Sequence, residues 1–95
     1  MLLVHVQHFL NEEGKDFFPI FIREMKIAMI EYNKGFMTLR QLIKENKPCE
    51  THFLLEYENF ELLKEFSQTE THSRLINKLK TYQLKKQFVE KFFTD

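Results

Sequence analysis

One histidine lies in a pattern where its chemistry would matter. His72 shares one face of a predicted helix with Leu75, Ile76 and Leu79, at spacings of three and four residues. An imidazole has a near-neutral pKa, so it can act as a general base or as a hydrogen-bond partner. The structural alternative is a histidine at the mouth of the core, bonded to backbone or water. Both interpretations place His72 at the edge of an apolar interior.

Polar side chains also interrupt the apolar segment from Leu2 to Leu10. Its residues alternate between two faces, as in a central strand covered on both sides. The first face carries Leu2, Val4, Val6, His8 and Leu10, and the second carries Leu3, His5, Gln7 and Phe9. Buried polar groups are costly unless paired, so His5 and Gln7 indicate water, a ligand or each other as partners. We expect both side chains to project into the compartment that contains His72.

Two other side chains are weaker candidates. Arg40 lies inside a predicted strand and is a candidate for the buried side of a site, although an edge arginine whose stem covers apolar surface explains it equally well. Cys49 follows Pro48 in a predicted turn, where we favour an unreactive bystander over a reactive thiol. A single cysteine forms no internal disulfide, which suits the reducing cytosol.

The sequence predicts no metal or phosphate site. His5 and His8 lie on different strand faces, and no cluster of His, Cys and carboxylate residues has the short spacing of a zinc site. Gly14 and Gly35 stand alone, whereas a phosphate-binding loop needs several glycines. We therefore expect no metal ion and no cofactor.

The composition indicates one small domain, residues 1–95, with a packed interior. Hydrophobic residues make up 43% of the chain and include eleven Phe, whereas disordered chains are poor in such residues. Lys+Arg and Asp+Glu both number 14, so the chain lacks the electrostatic footprint of a nucleic-acid-binding protein. A chain of 95 residues is near the lower limit for a self-sufficient core, which favours association with a second copy.

The apolar N-terminal segment does not resemble a targeting signal. It lacks a basic region and is interrupted by His5, Gln7 and His8, so it indicates neither a signal peptide nor a membrane span. We expect a cytoplasmic protein that does not associate with membranes.

A central hairpin organises the predicted elements. Phe36 to Lys44 and Thr51 to Tyr57 interleave apolar with polar residues, and turn formers lie between them at residues 45–48. A solvated loop, residues 11–15, precedes a helix that we expect Asp16 to cap, with Pro19 in its first turn. The apolar stripe of this helix could line a pocket, but core packing is favoured. Its members are Phe18, Phe21, Ile22, Met25, Ala28, Met29 and Tyr32.

The elements after the hairpin complete a β-α-β-β-α-β order. Asn59 and Thr69 are predicted to cap two helical segments separated near Ser67, and the segment from Gln87 to Phe93 alternates as a terminal strand. Right-handed crossovers place the helices on one face of a four-stranded antiparallel sheet, an α+β ferredoxin-like fold. The other face is apolar and bare, so we expect it to be buried in a face-to-face homodimer.

The chain resembles the antibiotic biosynthesis monooxygenase family of dimeric α/β-barrel proteins over nearly all of its length. The similarity lies in the Gly35-Phe36 pair that starts the second strand, the aromatic Tyr57 that ends the third, and the acidic helical run from there to His72. Such proteins are typically homodimers whose sheet faces enclose ligand cavities. Some oxidise quinols or phenols with O2 without metal or flavin, and some degrade haem. The resemblance implies a small aromatic or quinol substrate.

The resemblance also suggests roles for individual residues. His72 would remove a phenolic proton and leave an electron-rich anion that passes an electron to O2, and Gln7 would assist as the second catalytic residue. The expected substrate-binding residues are His5, Phe9, Tyr57, Leu62 and Phe66. The haem-degrading branch uses an Asn, a Trp and a His at positions that match Gln7, Leu62 and His72. Only the histidine is retained, so a haem-degrading monooxygenase is a less favoured alternative.

Two alternatives to an enzyme share the same order of elements. An RNA-recognition motif would stack bases on Phe9, Phe53 and Tyr57, but its basic-Gly-aromatic run is absent and the formal net charge is zero. A non-catalytic dimer that binds a ligand or a partner protein is the stronger alternative. In that case Phe side chains would fill the cavity.

Overall fold

The chain folds into a four-stranded antiparallel sheet with helices on one face. The computed structural model describes residues 1–94. In chain order the elements are β1 (Leu2–Leu10), α1 (Glu12–Tyr32), β2 (Phe36–Lys44), β3 (Lys47–Tyr57), α2 (Phe60–Ser67), α3 (Glu70–Lys80) and β4 (Gln83–Phe93). The strands lie in the order β2-β3-β1-β4. The predicted ferredoxin-like arrangement is confirmed, with the second helical region divided into α2 and α3.

Strand β1 lies between β3 and β4 and alternates as its sequence predicts. Leu2, Val4 and Val6 are buried on the helical side, and the residues between them are half-buried on the other side. Val4 lies opposite Leu55 of β3 and Lys91 of β4. The predicted division of β1 into two faces is therefore confirmed.

The core lies between the helices and the sheet. Helix α1 buries its apolar stripe, and the shorter helices add Phe66, Leu75 and Leu79, each at most 2% exposed. The buried members of the α1 stripe are Phe18, Phe21, Ile22, Met25 and Met29. Burying side chains of this size is the main stabilising contribution to a small domain. The stripe thus packs in the core, as the sequence favoured, and four of its members also line a cavity described below.

Helix α1 begins earlier than predicted. Asn11, not Asp16, is the N-cap, and its Oδ1 accepts a hydrogen bond from the Gly14 N–H at 2.8 Å. The expected loop at residues 12–15 is therefore the first helical turn. Asn and Asp cap helices about equally well, and the acidic residues after Asn11 favour the positive end of the helix dipole. Pro19 consequently lies inside the helix, on its exposed side, where water can satisfy the carbonyl that loses a partner.

The hairpin turn is shorter than predicted. Strand β3 starts at Lys47 rather than Thr51, so Pro48 and Cys49 lie in the strand and only residues 45–46 form the turn. The described pairing of β3 with β1 reaches only to Thr51, so the first part of β3 is not a central strand. An edge position tolerates a proline that cannot donate a hydrogen bond. Cys49 is exposed there.

At the remaining boundaries, the two predicted helix caps are confirmed and the predicted start of the last strand is wrong. The Oδ1 of Asn59 accepts from the Leu62 N–H at 2.9 Å, and the Oγ1 of Thr69 accepts from the His72 N–H at 3.2 Å, which confirms both caps. Strand β4 begins at Gln83 rather than Gln87 because two register irregularities opposite the end of β1 disturb its alternation. Within residues 1–94 no helix is long and apolar enough to cross a membrane.

Candidate functional site

A cavity of about 260 Å³ lies between the helices and the sheet. Eleven of its lining residues are apolar, and they come from every element that packs in the core. These are Val4, Phe21, Ile22, Met25, Met29, Leu39, Phe53, Leu55, Phe60, Leu63 and Ile76. The polar lining consists of Lys64, Ser67, His72 and Lys91. An apolar pocket with a few polar groups is the usual form of a small-molecule site.

His72 is the histidine in this lining. It lies in the first turn of α3, directly after the Thr69 cap, and its ring packs edge-on against Phe66 with centroids 5.7 Å apart. Burial lowers the pKa of His72 below its usual value of 6.5, while a hydrogen bond to the backbone of Ser67 opposes that shift. The imidazole is therefore neutral at pH 7. When one nitrogen donates to the Ser67 carbonyl, the other retains a lone pair that can accept a proton.

Two lysines bring positive charge to the cavity. Lys64 lies on α2 and Lys91 on β4, and both residues are exposed to solvent. The Lys91 Nζ lies 5.0 Å from the centre of the Phe60 ring, a cation–π distance that joins the edge strand to the start of α2. No carboxylate is among the described residues that line the cavity.

The sheet separates His72 from the three candidates on β1. Gln7, His5 and Phe9 lie on the face away from the helices, whereas Val4 of the same strand lines the cavity. The expectation that His5 and Gln7 share a compartment with His72 is therefore wrong. Residues at odd and even positions of a strand point to opposite sides, and the cavity lies within the helical layer, not on the bare face. Gln7 and Phe9 line an open depression on the other face and His5 lines another, so their contact with a substrate stays a prediction.

The other expected substrate-binding residues lie near the cavity but are absent from its lining. Tyr57 is 0% exposed and packs edge-on against Phe36, and burial raises its pKa to about 12. Leu62 fills the space beside Gly35, and Phe66 is buried against His72. Phe66 thus packs against a polar residue of the lining.

Sequence reasoning did not assign Lys64, Ser67 or Lys91 to a site. The signal was partly available, because Lys91 alternates with Val89 and Phe93 on the helical side of β4. An exposed lysine beside apolar residues is common, however, and does not by itself indicate a binding site. Arg40, the remaining candidate, is exposed on edge strand β2 and donates to Glu56 at 2.9 Å. It is therefore not a buried-side residue.

A second polar cluster crosses the bare face of the sheet. The His5 Nε2 lies 2.9 Å from the His52 Nδ1, and the His52 Nε2 lies 2.8 Å from the Glu50 carboxylate. Because an ionised carboxylate only accepts, His52 donates to Glu50 and accepts from His5. This bond lowers the pKa of Glu50. The His5 Nδ1 lies 3.5 Å from the Glu90 carboxylate, so a proton on that nitrogen would be donated to Glu90, while the His52 Nδ1 would still accept from His5.

His8 is buried among aromatic rings on the helical side. Its ring centre lies 5.9 Å from that of Phe18 and 5.8 Å from that of Phe53, and burial lowers its pKa to about 4. The free histidine side chain has a pKa of 6.5. The folded state therefore disfavours the imidazolium that the unfolded chain adopts in acid.

We expect His8→Leu to make the stability of the protein less dependent on acid pH. Above pH 6.5 His8 is neutral in both states, whereas between 6.5 and 4 only the unfolded chain takes up the proton, which favours unfolding. The shift corresponds to a loss of about 3 kcal/mol by pH 4. Urea unfolding of both proteins at pH 7, 5 and 4 measures it. An equal acid loss in the variant would contradict the prediction.

The described residues include no set that fits a metal ion or haem. Among residues 1–94 there is no group of three or more His, Cys, Asp or Glu side chains that could hold a metal ion. The positions that match the haem-degrading branch do not converge, since Gln7 lies on the opposite face and Leu62 is absent from the lining. His72 alone remains of that set, so the residues do not fit haem.

Comparison with known proteins identifies solved structures that have a similar fold. No protein-family model matches the sequence, and no curated protein matches it. Among solved structures, an antibiotic biosynthesis monooxygenase has 20% sequence identity and a TM-score of 0.82, over 100% of this chain and 99% of that chain.

Two further structures extend the similarity to more distant sequences. A proposed antibiotic biosynthesis monooxygenase from Nitrosomonas europaea has 12% identity and a TM-score of 0.83, over 99% of this chain and 98% of that chain. Rv0793 from Mycobacterium tuberculosis has 9% identity and a TM-score of 0.82, over 98% and 93% of the two chains. Similarity at such low identity establishes fold and not activity. The chain thus has the ferredoxin-like fold of the antibiotic biosynthesis monooxygenases, as its sequence resemblance predicted.

Proposed function

We propose that the protein is a cofactor-independent monooxygenase that oxidises a small phenol or quinol with O2 in the cavity beside His72. One observation carries the proposal: a neutral imidazole with a lone pair lines an otherwise largely apolar cavity. A base in such a place can take a phenolic proton, and apolar walls exclude the water that would compete for reactive intermediates.

The proposed reaction begins with proton transfer from the substrate hydroxyl to His72. The resulting phenolate gives one electron to O2, and the two radicals combine through a new C–O bond to give a peroxide anion. This anion takes the proton back from His72, and the hydroperoxide then loses water. For a phenol, the sum is one phenol and one O2 giving one quinone and one water. The ring loses two hydrogens and gains one oxygen atom, while the second oxygen atom is reduced to water.

Proton transfer is the step that the protein must assist most. A phenol has a pKa of about 10, and the pKa of His72 is below 6.5, so full transfer is unfavourable by at least about 5 kcal/mol. For a phenol that carries no other anionic group, the positive charges of Lys64 and Lys91 favour the phenolate over the neutral phenol and offset part of that cost. In the proposed complex, the aromatic ring of the substrate packs against the methionine and phenylalanine side chains of α1 that line the cavity.

We further propose that the protein is a homodimer through the bare face of its sheet. Phe88 and Phe92 of β4 lie on that face and are 52% and 51% exposed, and Leu3 and Leu42 extend the apolar surface across the sheet. The charges there are largely paired within the chain, as in Arg40 with Glu56. A second copy offers the same apolar and neutralised surface, which suits an isologous contact.

A non-catalytic ligand-binding dimer is the second candidate. The observation that favours it is the separation of Gln7 from His72, which leaves His72 without the second catalytic residue that the sequence suggested. His72 also has structural contacts, to Phe66 and to the backbone of Ser67. Such a protein would bind the same small aromatics without consuming O2.

Oxygen uptake with a panel of phenols and hydroquinones separates these candidates. Each compound is compared with and without protein, because quinols also react with O2 unaided. With ¹⁸O2, the monooxygenase must place one labelled oxygen atom in the product and the other in water. Hydrogen peroxide with an unlabelled product would instead indicate a simple oxidase. Binding without any uptake above the background would support the non-catalytic candidate.

A further inference from the structure

The two lysines beside the cavity are not paired with the acids that adjoin them in sequence. Lys64 is followed on α2 by Glu65, but that carboxylate accepts from the Tyr32 hydroxyl at 2.7 Å and from Lys34 at 3.3 Å. Lys91 is preceded on β4 by Glu90, which points to the opposite face and lies 3.5 Å from His5. The two carboxylates adjacent in sequence are therefore engaged away from the cavity, and Glu61, one turn before Lys64 on α2, forms no ion pair with any residue from 1 to 94.

The two lysines themselves remain unpaired. Neither Lys64 nor Lys91 forms an ion pair with any residue from 1 to 94. Lys91 is oriented instead over the ring of Phe60, a cavity residue that is 38% exposed. Two cations without counter-charges at the same cavity create a local positive potential that attracts anions.

The walls of the cavity favour an apolar part of the ligand, in contrast to the two lysines, which favour an anionic group. Methionine, phenylalanine, leucine, isoleucine and valine form its walls, and its volume is about 260 Å³. A dry apolar cavity of about 150 Å³ is enough to hold benzene. The space therefore suits one aromatic ring with small substituents, and its walls disfavour a fully polar anion such as phosphate.

We propose that the cavity selects a single-ring aromatic carboxylate, with the ring among the apolar side chains and the carboxylate at Lys64 and Lys91. This assignment rests on the proposed function, because it names the class of phenol: one that carries a carboxylate as well as the reacting hydroxyl. A hydroxybenzoate is the simplest compound of this class. The carboxylate supplies the missing counter-charge, and the hydroxyl remains available to His72.

Binding to the full chain tests the proposal directly. Titrations of 4-hydroxybenzoate and 4-hydroxybenzamide, followed by calorimetry and by NMR chemical shifts, compare an anion with a neutral molecule of nearly the same shape. We expect the carboxylate to bind at least about tenfold more tightly, and this preference to shrink as salt is added. Equal affinities, or binding of neither compound, would overturn the proposal.

Variants assign the preference to the two lysines. Lys64→Gln and Lys91→Gln should each weaken carboxylate binding by about three- to tenfold, and the double variant should lose the preference over the amide. Lys78→Gln is the matched control, since Lys78 is also exposed and lies 4.9 Å from an aromatic ring, that of Phe17, but is absent from the cavity lining. A double variant that retains the preference would overturn the assignment.

The binding assay and the oxygen assay fail independently. If the carboxylate binds as expected but no compound is oxidised, the selectivity stands and the monooxygenase proposal fails. If neutral phenols are oxidised and carboxylates neither bind better nor react, the monooxygenase stands and the charge selectivity is wrong.

Discussion

Replacing His72 by glutamine is expected to lower oxygen uptake with a phenolic substrate by about 10²- to 10⁴-fold, the usual contribution of a general base. Glutamine is of similar size and can still donate to the Ser67 carbonyl, but it cannot accept a proton. The measurement is the rate of O2 consumption at saturating substrate. His72→Ala removes the ring as well and should lose at least as much activity.

The controls for this experiment come from the other face of the sheet. Gln7→Ala changes the residue that the sequence paired with His72, yet the structure places it outside the cavity, so we expect its activity to stay within about threefold of the unmodified protein. The native rate should fall only below the lowered pKa of His72, because the base must be neutral to act. Turnover that is unchanged in His72→Gln would remove this residue from the mechanism.

Changing Phe88 and Phe92 together to glutamate is expected to convert the proposed dimer into a monomer. Full burial of one such ring contributes about 1.5 to 3 kcal/mol. About half of each ring is already buried in the single chain, so burying the exposed halves of four rings across a dimer accounts for roughly 3 to 6 kcal/mol. That free energy corresponds to a dissociation constant raised about 10²- to 10⁴-fold, before charge repulsion is added. Sedimentation equilibrium measures the change.

A control on the same strand separates the bare face from general exposure. Phe93 is 74% exposed but pairs with Leu2 and so belongs to the helical side of β4. Phe93→Glu should leave the dissociation constant within about threefold of the native value. A native protein that sediments as a monomer at high concentration, or a double variant that stays dimeric, would contradict the proposed interface.

Local signals in the sequence were sufficient for the order of the elements. The alternation of Leu2, Val4 and Val6, together with the caps at Asn59 and Thr69, predicted the elements that they border. The boundaries that failed are those where two local signals compete. Asn11 and Asp16 are equally good caps, and the strand that contains Pro48 depends on how far a neighbouring strand extends. Tertiary pairing, which the local pattern does not contain, decides both.

The candidate site was less predictable than the fold. The alternation correctly grouped His5 with Gln7 and apart from Val4, but it does not state which face encloses a cavity. A cavity arises where side chains from several elements fail to fill the space between them, and this depends on packing across the whole core. Lys64 and Lys91 are 27 positions apart in the chain, so only the folded arrangement brings them to one cavity.

The linked side chains of Glu90, His5, His52 and Glu50 also help to fix the register of the strands. They belong to three strands, with Glu90 directly opposite His5 and His52 directly opposite Gln7. Sliding any one strand by a single residue would turn its members to the far side of the sheet and break the contacts at that strand. Edge strand β4, which pairs with β1 alone among the described strands, is therefore held in register by polar contacts as well as by its apolar residues.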